Sequence, residues 1–189
     1  MNKYPNVLTI AGSDSGGGAA IQADLKTMTL MGCFGMSVIT ALTAQNSVEV
    51  SGIQGATPDF VKLQMKTVLS DFKVHAAKTG MLFSADIIKV VADVLERKDF
   101  PLVVDPVCVS NTGARLLQED AEEALVTHML PLADLVTPNR HEAELISGMK
   151  IVEESDLAKA AEAILALGAK AVLIKGGHFD GMECVDWLA

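Results

Sequence analysis

Val7-Leu8-Thr9-Ile10-Ala11-Gly12-Ser13-Asp14-Ser15-Gly16-Gly17-Gly18-Ala19-Ala20-Ile21-Gln22-Ala23-Asp24 is the stretch that decides the fold. Residues 7–10 form a short apolar run that reads as a buried strand. A loop of small residues follows, with glycines at 12, 16, 17 and 18, and a helical apolar period starts near Ala19. Strand, tight loop and helix in succession place a ligand site at the carboxyl end of an α/β sheet. Glycine lets the backbone approach a ligand closely. The start of the helix offers free N–H groups to polar or anionic ligands. The spacing does not fit G-x-G-x-x-G. It does not fit G-x-x-x-x-G-K-[ST] either, since Gly18 and Ala19 stand where Lys and Ser/Thr belong. Taken alone, the loop is also compatible with a plain turn.

The rest of the 189-residue chain supplies a large core, because half of its residues are hydrophobic. Aromatic residues make up only 4%, so that core is built from Ala, Val, Leu, Ile and Met. This suits a parallel sheet covered by helices, whose strands are buried on both sides. A net charge of −9 argues against a nucleic-acid backbone or an anionic membrane as partner. Cys33, Cys108 and Cys184 are odd in number and far apart. They show neither metal spacing nor a disulfide framework, which fits a reducing cytoplasm. The first residues, Met1-Asn2-Lys3-Tyr4-Pro5, are too short and polar for a signal peptide. No run reaches the roughly 18 apolar residues that a membrane helix requires.

Strands and helices alternate along the chain. Ile21, Leu25, Met28 and Met31 mark one helix face, closed by Gly32. Residues 33–42 read as a second strand, Thr43-Ala44-Gln45-Asn46-Ser47 as the turn at its end, and 48–53 as a short edge strand. Thr57-Pro58-Asp59 opens a helix with a capping Thr, Pro at the first position and an acid in the first turn. Its expected buried stripe is Phe60, Val61, Met65, Val68, Leu69 and Phe72. Residues 74–78, 102–104, 135–137 and 171–174 read as further strands. Helices are expected after the Ser84 cap, over 121–130 and 140–147, and after a Ser155 cap. The resulting fold class is a single α/β domain over residues 1–189, a doubly wound, mostly parallel sheet with helices on both faces.

Polar residues follow the predicted strands one after another: Ser13/Asp14 with Asp24 nearby, Gln45, Lys78/Thr79, Asp105, Asn139/Glu142 and Lys175. A parallel sheet gathers all of them on its carboxyl edge. A lone Asp or Lys is most often a cap or a surface residue. The coincidence over six strands is harder to dismiss. Asp105, Asn139 and Glu142 offer the oxygens that Mg²⁺ prefers, and Lys175 beside two glycines offers a point charge to a phosphate.

These same residues carry a resemblance. Ala11-Gly12-Ser13-Asp14-Ser15-Gly16-Gly17-Gly18-Ala19-Ala20-Ile21-Gln22-Ala23-Asp24, Ala44-Gln45-Asn46, Lys78-Thr79-Gly80-Met81-Leu82, Asp105-Pro106-Val107, Thr137-Pro138-Asn139-Arg140-His141-Glu142-Ala143 and Lys175-Gly176-Gly177-His178 occur in the order of one family. The chain resembles the hydroxymethylpyrimidine/phosphomethylpyrimidine kinases of thiamine biosynthesis, within the ribokinase-like superfamily. The resemblance implies ATP-dependent phosphorylation of 4-amino-5-hydroxymethyl-2-methylpyrimidine and then of its monophosphate. It implies Gln45, Gly12, Asp24, Met81 and Val107 around the pyrimidine, with Gln45 reading the amino and ring-nitrogen edge. It further implies Lys175 and Asn139 at ATP, Asp105 and Glu142 at Mg²⁺, and a homodimer.

Two departures from the family pattern stand out. Ala20 replaces a glycine that the family has in the loop. The family's later Gly-Thr-Gly-Cys loop, which carries its presumed catalytic cysteine, has no counterpart, and Cys184 is not its equivalent. The resemblance therefore implies a domain incomplete at its C-terminus, with no catalytic residue of that kind in this chain and weak kinase activity. The alternatives are a non-catalytic pyrimidine- or nucleotide-binding module and a pyridoxal kinase-like activity.

Overall fold

The computed structural model describes residues 4–108, 117, 120–176 and 185–189. The expectations for Gly177, His178 and Cys184, and for most of the loop after Cys108, lie outside them.

The first strand, β1, covers Asn6–Asp14 and is followed by helix α1 over Ala20–Leu30. Strand β2 runs over Phe34–Gln45 and β3 over Val50–Gly55, and helix α2 covers Pro58–Asp71. Strand β4 spans Ala76–Thr79, α3 Ala85–Leu95 and β5 Leu102–Val104. A short α4, Ala121–Ala124, leads through a π turn, Leu125–Met129, and a 3-10 turn, Leu130–Leu132, into β6, Leu135–Val136. Helices α5, Arg140–Ser147, and α6, Ser155–Ala166, precede β7, Leu173–Ile174, and β8, Trp187–Leu188.

Six strands form one sheet in the order β3-β2-β1-β4-β5-β6. All neighbours are parallel except the antiparallel pair β2–β3. A parallel bridge from Val136 to Val172 carries the pattern towards β7, which pairs antiparallel with β8. The chain leaves β1 towards β2 on one side and later returns to β4 on the other. The strand order therefore reverses between β1 and β4, and a doubly wound sheet opens its ligand crevice at such a reversal.

Parallel register puts Ile10, Thr79, Val104 and Val136 in one row, and Val172 continues it across its bridge to Val136. All five are fully buried. The four apolar ones belong with α2, α3 and the segment 121–132 to the main core, which holds Val61, Met65, Ile88, Val91, Leu125 and Met129. The opposite side carries α1 against β1 and β2. There Ala76, Val103, Leu135 and Leu173 are half-buried.

Several boundaries differ from the sequence reading. β1 runs on to Asp14, so Ser13 and Asp14 are strand residues. β2 runs to Gln45, and Thr43-Ala44-Gln45 pairs with β3 instead of turning, because the antiparallel edge partner satisfies its backbone. In α1 only Ile21 is buried and Met31 is 76% exposed. Phe60 also faces solvent, and Phe72 stacks on Phe34 at 5.9 Å near the surface. Ser155 is the first helical residue, after a Glu154 that makes no side-chain cap. The helix expected over 121–130 breaks into three winding types next to Pro131, which has no N–H to continue an α-helical ladder. The caps read from Thr57 and Ser84 are present, accepting from the Phe60 and Ile87 N–H groups.

Candidate active site

The glycine-rich loop is latched from inside. Asp14, 4% exposed, accepts the N–H groups of Gly16, Gly18 and Ala19 at 2.8, 2.9 and 2.9 Å. The donors that lead into α1 are thus taken by the chain's own carboxylate. Asp14 thereby makes the loop a shaped wall. Gln22 accepts the Asp14 N–H at 2.8 Å and donates to the Ser13 hydroxyl at 2.7 Å. The Lys26 ammonium donates to the Gly17 carbonyl at 2.6 Å. Gly17 has φ +76°, and Ala20, standing where the family pattern has glycine, has φ +52°. That is a left-handed conformation, which costs a residue with a Cβ about 1–2 kcal/mol.

The loop is also tied to the end of β2, which positions Gln45. The Ser15 hydroxyl donates to the Gln45 carbonyl and accepts its N–H, both at 2.8 Å. Thr43 donates to the Ser13 carbonyl at 2.8 Å and lies 3.2 Å from the Gln45 side-chain oxygen. The half-buried Gln45 amide nitrogen has no partner among the described residues. Gly12 sits where the β1–β2 register shifts, and a Cβ on it would collide with Met81 Cε. Gly12 and Met81 therefore touch, and Met81 is 6% exposed, as much a packing residue as a wall. Val107 follows Asp105 and is half-buried.

A line of alternating charges crosses the carboxyl edge beside this wall. The Lys78 ammonium, from the end of β4, lies 3.2 Å from both oxygens of Asp24 on α1. It also lies 3.7 Å from Asp105 Oδ2, just beyond β5. Asp105 Oδ1 accepts from the Lys175 ammonium at 2.9 Å, and Lys175 stands 4.0 Å from Glu142 Oε2 on α5. The buried Thr9 hydroxyl donates to Asp24 Oδ2 at 2.6 Å and fixes that carboxylate from below. Asn139 and Glu142 form a capping box, with each side chain accepting the other's backbone N–H, at 2.9 and 2.8 Å. Burial pushes the Glu142 carboxyl above its ordinary value, against the opposing pull of the Asn139 N–H and Lys175.

The structure thus joins Asp24, Asp105, Glu142, Asn139 and Lys175, and it places Gln45, Gly12 and Met81 on the adjoining loop and strand ends. Lys78, Thr9 and Asp14 are the site residues for which sequence reasoning found no role. Asp14 had a local signal, since an Asp two residues before a glycine pair is a turn-forming side chain. Thr9 is hidden inside an apolar run, and Lys78, read in the sequence only as a strand-end polar residue, shows its part through Asp24 and Asp105.

Among the described residues no cluster of three or more His, Cys, Asp or Glu side chains can hold a metal. The donors fit Mg²⁺ as a cation that keeps several waters and shares phosphates. Asp105 offers partly buried oxygens, whereas Glu142 is buried and bound to backbone N–H groups. No helix among the described residues is long and apolar enough to cross a membrane.

Comparison with known proteins agrees with this architecture. The hydroxymethylpyrimidine/phosphomethylpyrimidine kinase of Streptomyces coelicolor is 50% identical over 184 residues, which are 97% of this chain and 68% of that protein. The crystal structure of phosphomethylpyrimidine kinase from Clostridium difficile superposes with a TM-score of 0.91 at 47% identity, over 98% of this chain and 80% of the other. Pyridoxal kinase from Staphylococcus aureus, solved with AMP-PCP and pyridoxal, gives a TM-score of 0.88 at 38% identity, over 100% of this chain and 68% of its own. A family model described as phosphomethylpyrimidine kinase matches residues 14–189, and the chain belongs to that family of kinases.

Proposed function

We propose that the carboxyl edge binds 4-amino-5-hydroxymethyl-2-methylpyrimidine, or its monophosphate, beside ATP, and that a phosphoryl group passes from ATP to the pyrimidine. The observation that carries this reading is the charge line from Asp24 to Glu142 across the strand ends, next to the Gln45 amide. An amide both donates and accepts, so Gln45 matches an aminopyrimidine edge. Gly12, Asp24, Met81 and Val107 are the proposed remaining pocket residues. Lys175 and Asn139 take the nucleotide, with the Lys175 ammonium leaving Asp105 to meet phosphate oxygens. Asp105 is the proposed contact for a hydrated Mg²⁺, and Glu142 supports it by holding Asn139 and facing Lys175. Bound Mg²⁺ would supply charge neutralisation at the phosphates. Transfer of this kind depends on positioning and electrostatics more than on covalent help from the protein.

The proposal extends to a homodimer, for which the exposed Leu30, Met31 and the Phe34–Phe72 pair supply apolar surface. It extends also to a cytoplasmic setting, which keeps Cys33 and Cys108 as thiols. The test is incubation of the purified chain with the pyrimidine, ATP and Mg²⁺, with ADP followed by a coupled assay and the product identified by mass. A phosphorylated pyrimidine supports the reading. Turnover with pyridoxal alone favours the activity of the Staphylococcus aureus relative. Binding of both ligands with no product supports a non-catalytic binding module.

A further inference from the structure

The geometry points to Lys78 as a positioning residue that couples the two halves of the site. This rests on the reading above, in which Asp24 faces the pyrimidine and Lys175 the nucleotide. Lys78 stands between them and has no role in that reading. Its ammonium is shared: 3.2 Å from each oxygen of Asp24 and 3.7 Å from Asp105 Oδ2. Asp105 is shared in turn, with Lys78 near one oxygen and Lys175 bonded to the other at 2.9 Å. The three side chains are partly buried, at 27% exposed for Lys78, 15% for Asp24 and 19% for Asp105. Solvent therefore screens their interaction less than it would on an open surface.

The elements that carry these three and Lys175 are separate: α1, the end of β4, the segment after β5 and the residue after β7. The lysine is a compact charge with three donors on a flexible stem, able to redistribute between two carboxylates. Thr9, bonded to Asp24 Oδ2 at 2.6 Å, keeps Asp24 in place while the ammonium shifts.

The consequence has a sign. A nucleotide phosphate draws Lys175 off Asp105. While no Mg²⁺ sits at Asp105, its uncompensated carboxylate then pulls the Lys78 ammonium towards itself. The grip of Lys78 on Asp24 loosens, and the Asp24 oxygens become available to accept from the amino or hydroxymethyl group of the pyrimidine. Metal-free nucleotide occupancy therefore tightens pyrimidine binding, and by reciprocity the pyrimidine tightens nucleotide binding equally.

The experiment is a calorimetric titration of the pyrimidine into the chain, with and without saturating AMP-PCP, in EDTA so that no Mg²⁺ reaches Asp105. It is run on wild type, Lys78→Met, Lys78→Arg and Lys78→Met/Asp24→Asn. Wild type should bind the pyrimidine about fivefold or more tightly in the presence of nucleotide, the lower end of usual coupling between sites. Lys78→Met should bring that ratio to one, and Lys78→Arg should restore part of it. The double variant removes the carboxylate left unpaired, so it stays folded if Lys78→Met does not, and its ratio should also be one. A wild-type ratio of one, or an unchanged ratio without Lys78, overturns the inference while leaving the proposed function intact. Failure of wild type to bind the pyrimidine at all overturns both.

Discussion

Replacing Asp14 by Ala should unlatch the glycine-rich loop at a cost that follows from its contacts. The carboxylate is 4% exposed and receives three backbone N–H groups at 2.8–2.9 Å. A hydrogen bond to a charged group contributes about 1.5–3 kcal/mol. Burying the carboxylate offsets part of that gain by several kcal/mol. In the variant, water reaches the freed donors, because Gly16, Gly18 and Ala19 are themselves exposed. Loss of a side-chain cap alone costs about 0.5–2 kcal/mol, and Asp14 serves three donors. Asp14→Ala is therefore expected to lose about 2–3 kcal/mol, and Asp14→Asn, which keeps one acceptor oxygen, about half of that. Urea unfolding followed by circular dichroism measures both, and an unchanged m-value shows that the midpoint shift is a stability change. The loop also holds the end of β2 through Ser15, so pyrimidine affinity should fall in parallel. A loss below about 0.5 kcal/mol for Asp14→Ala, within ordinary surface scatter, would refute the latch.

Three further outcomes are expected. Asp134 accepts from Lys98 and Lys170 at 2.7 Å and from the Leu102 N–H at 2.8 Å, which holds its carboxyl far below the usual range. Its stabilisation is present above the unfolded value near 4 and is lost as pH falls below it. Asp134→Asn should thus lower the melting temperature at pH 7 and converge with wild type in acid; a gap independent of pH contradicts this. Glu142 has the opposite sign, since burial raises its value, so its contribution is fullest below the ordinary glutamate value and shrinks as pH rises through the raised one. Glu142→Gln should flatten that part of the stability profile and weaken Mg²⁺-dependent nucleotide binding more than pyrimidine binding; equal loss of both ligands would indicate general unfolding instead. Ala20→Gly relieves a φ of +52° worth about 1–2 kcal/mol, less about 0.5–1 for the freedom glycine regains on unfolding. A net gain of about 0.5–1 kcal/mol is expected, and a lowered melting temperature would count against the strain.

The parallel sheet was legible because its signals are local and repeated. The Val–Leu–Ile runs alternate with capped amphipathic segments such as Thr57-Pro58-Asp59 and Ser84, and β5 and α5 fall where their patterns end. Lys78, Asp105, Asn139 and Lys175 were legible as one edge because each stands at or just after a strand end, with Asp24 and Glu142 on the helices that follow. Other features depend on distant partners. β2 continues through polar Thr43 and Gln45 because β3 pairs with it from the edge. The stripe read for α1 stays open at Met31 because nothing among the described residues covers it. Asp14 looked like part of a ligand loop, yet it takes the Gly16, Gly18 and Ala19 N–H groups of that loop itself, which only the folded geometry shows. Lys78 depends on carboxylates 54 and 27 positions away in sequence, beyond the reach of any local pattern.

The most direct test of the account is the affinity of Gln45→Leu for the pyrimidine, measured by calorimetry beside its affinity for ATP with Mg²⁺. Gln45 is held at the end of β2 by Ser15 and Thr43, with its amide nitrogen unengaged among the described residues. Losing a buried hydrogen-bonding partner costs about 1–3 kcal/mol, so pyrimidine binding should weaken about 5- to 150-fold while ATP binding stays nearly the same. Unchanged pyrimidine affinity would remove Gln45 from the pocket and contradict the placement of the substrate on this edge.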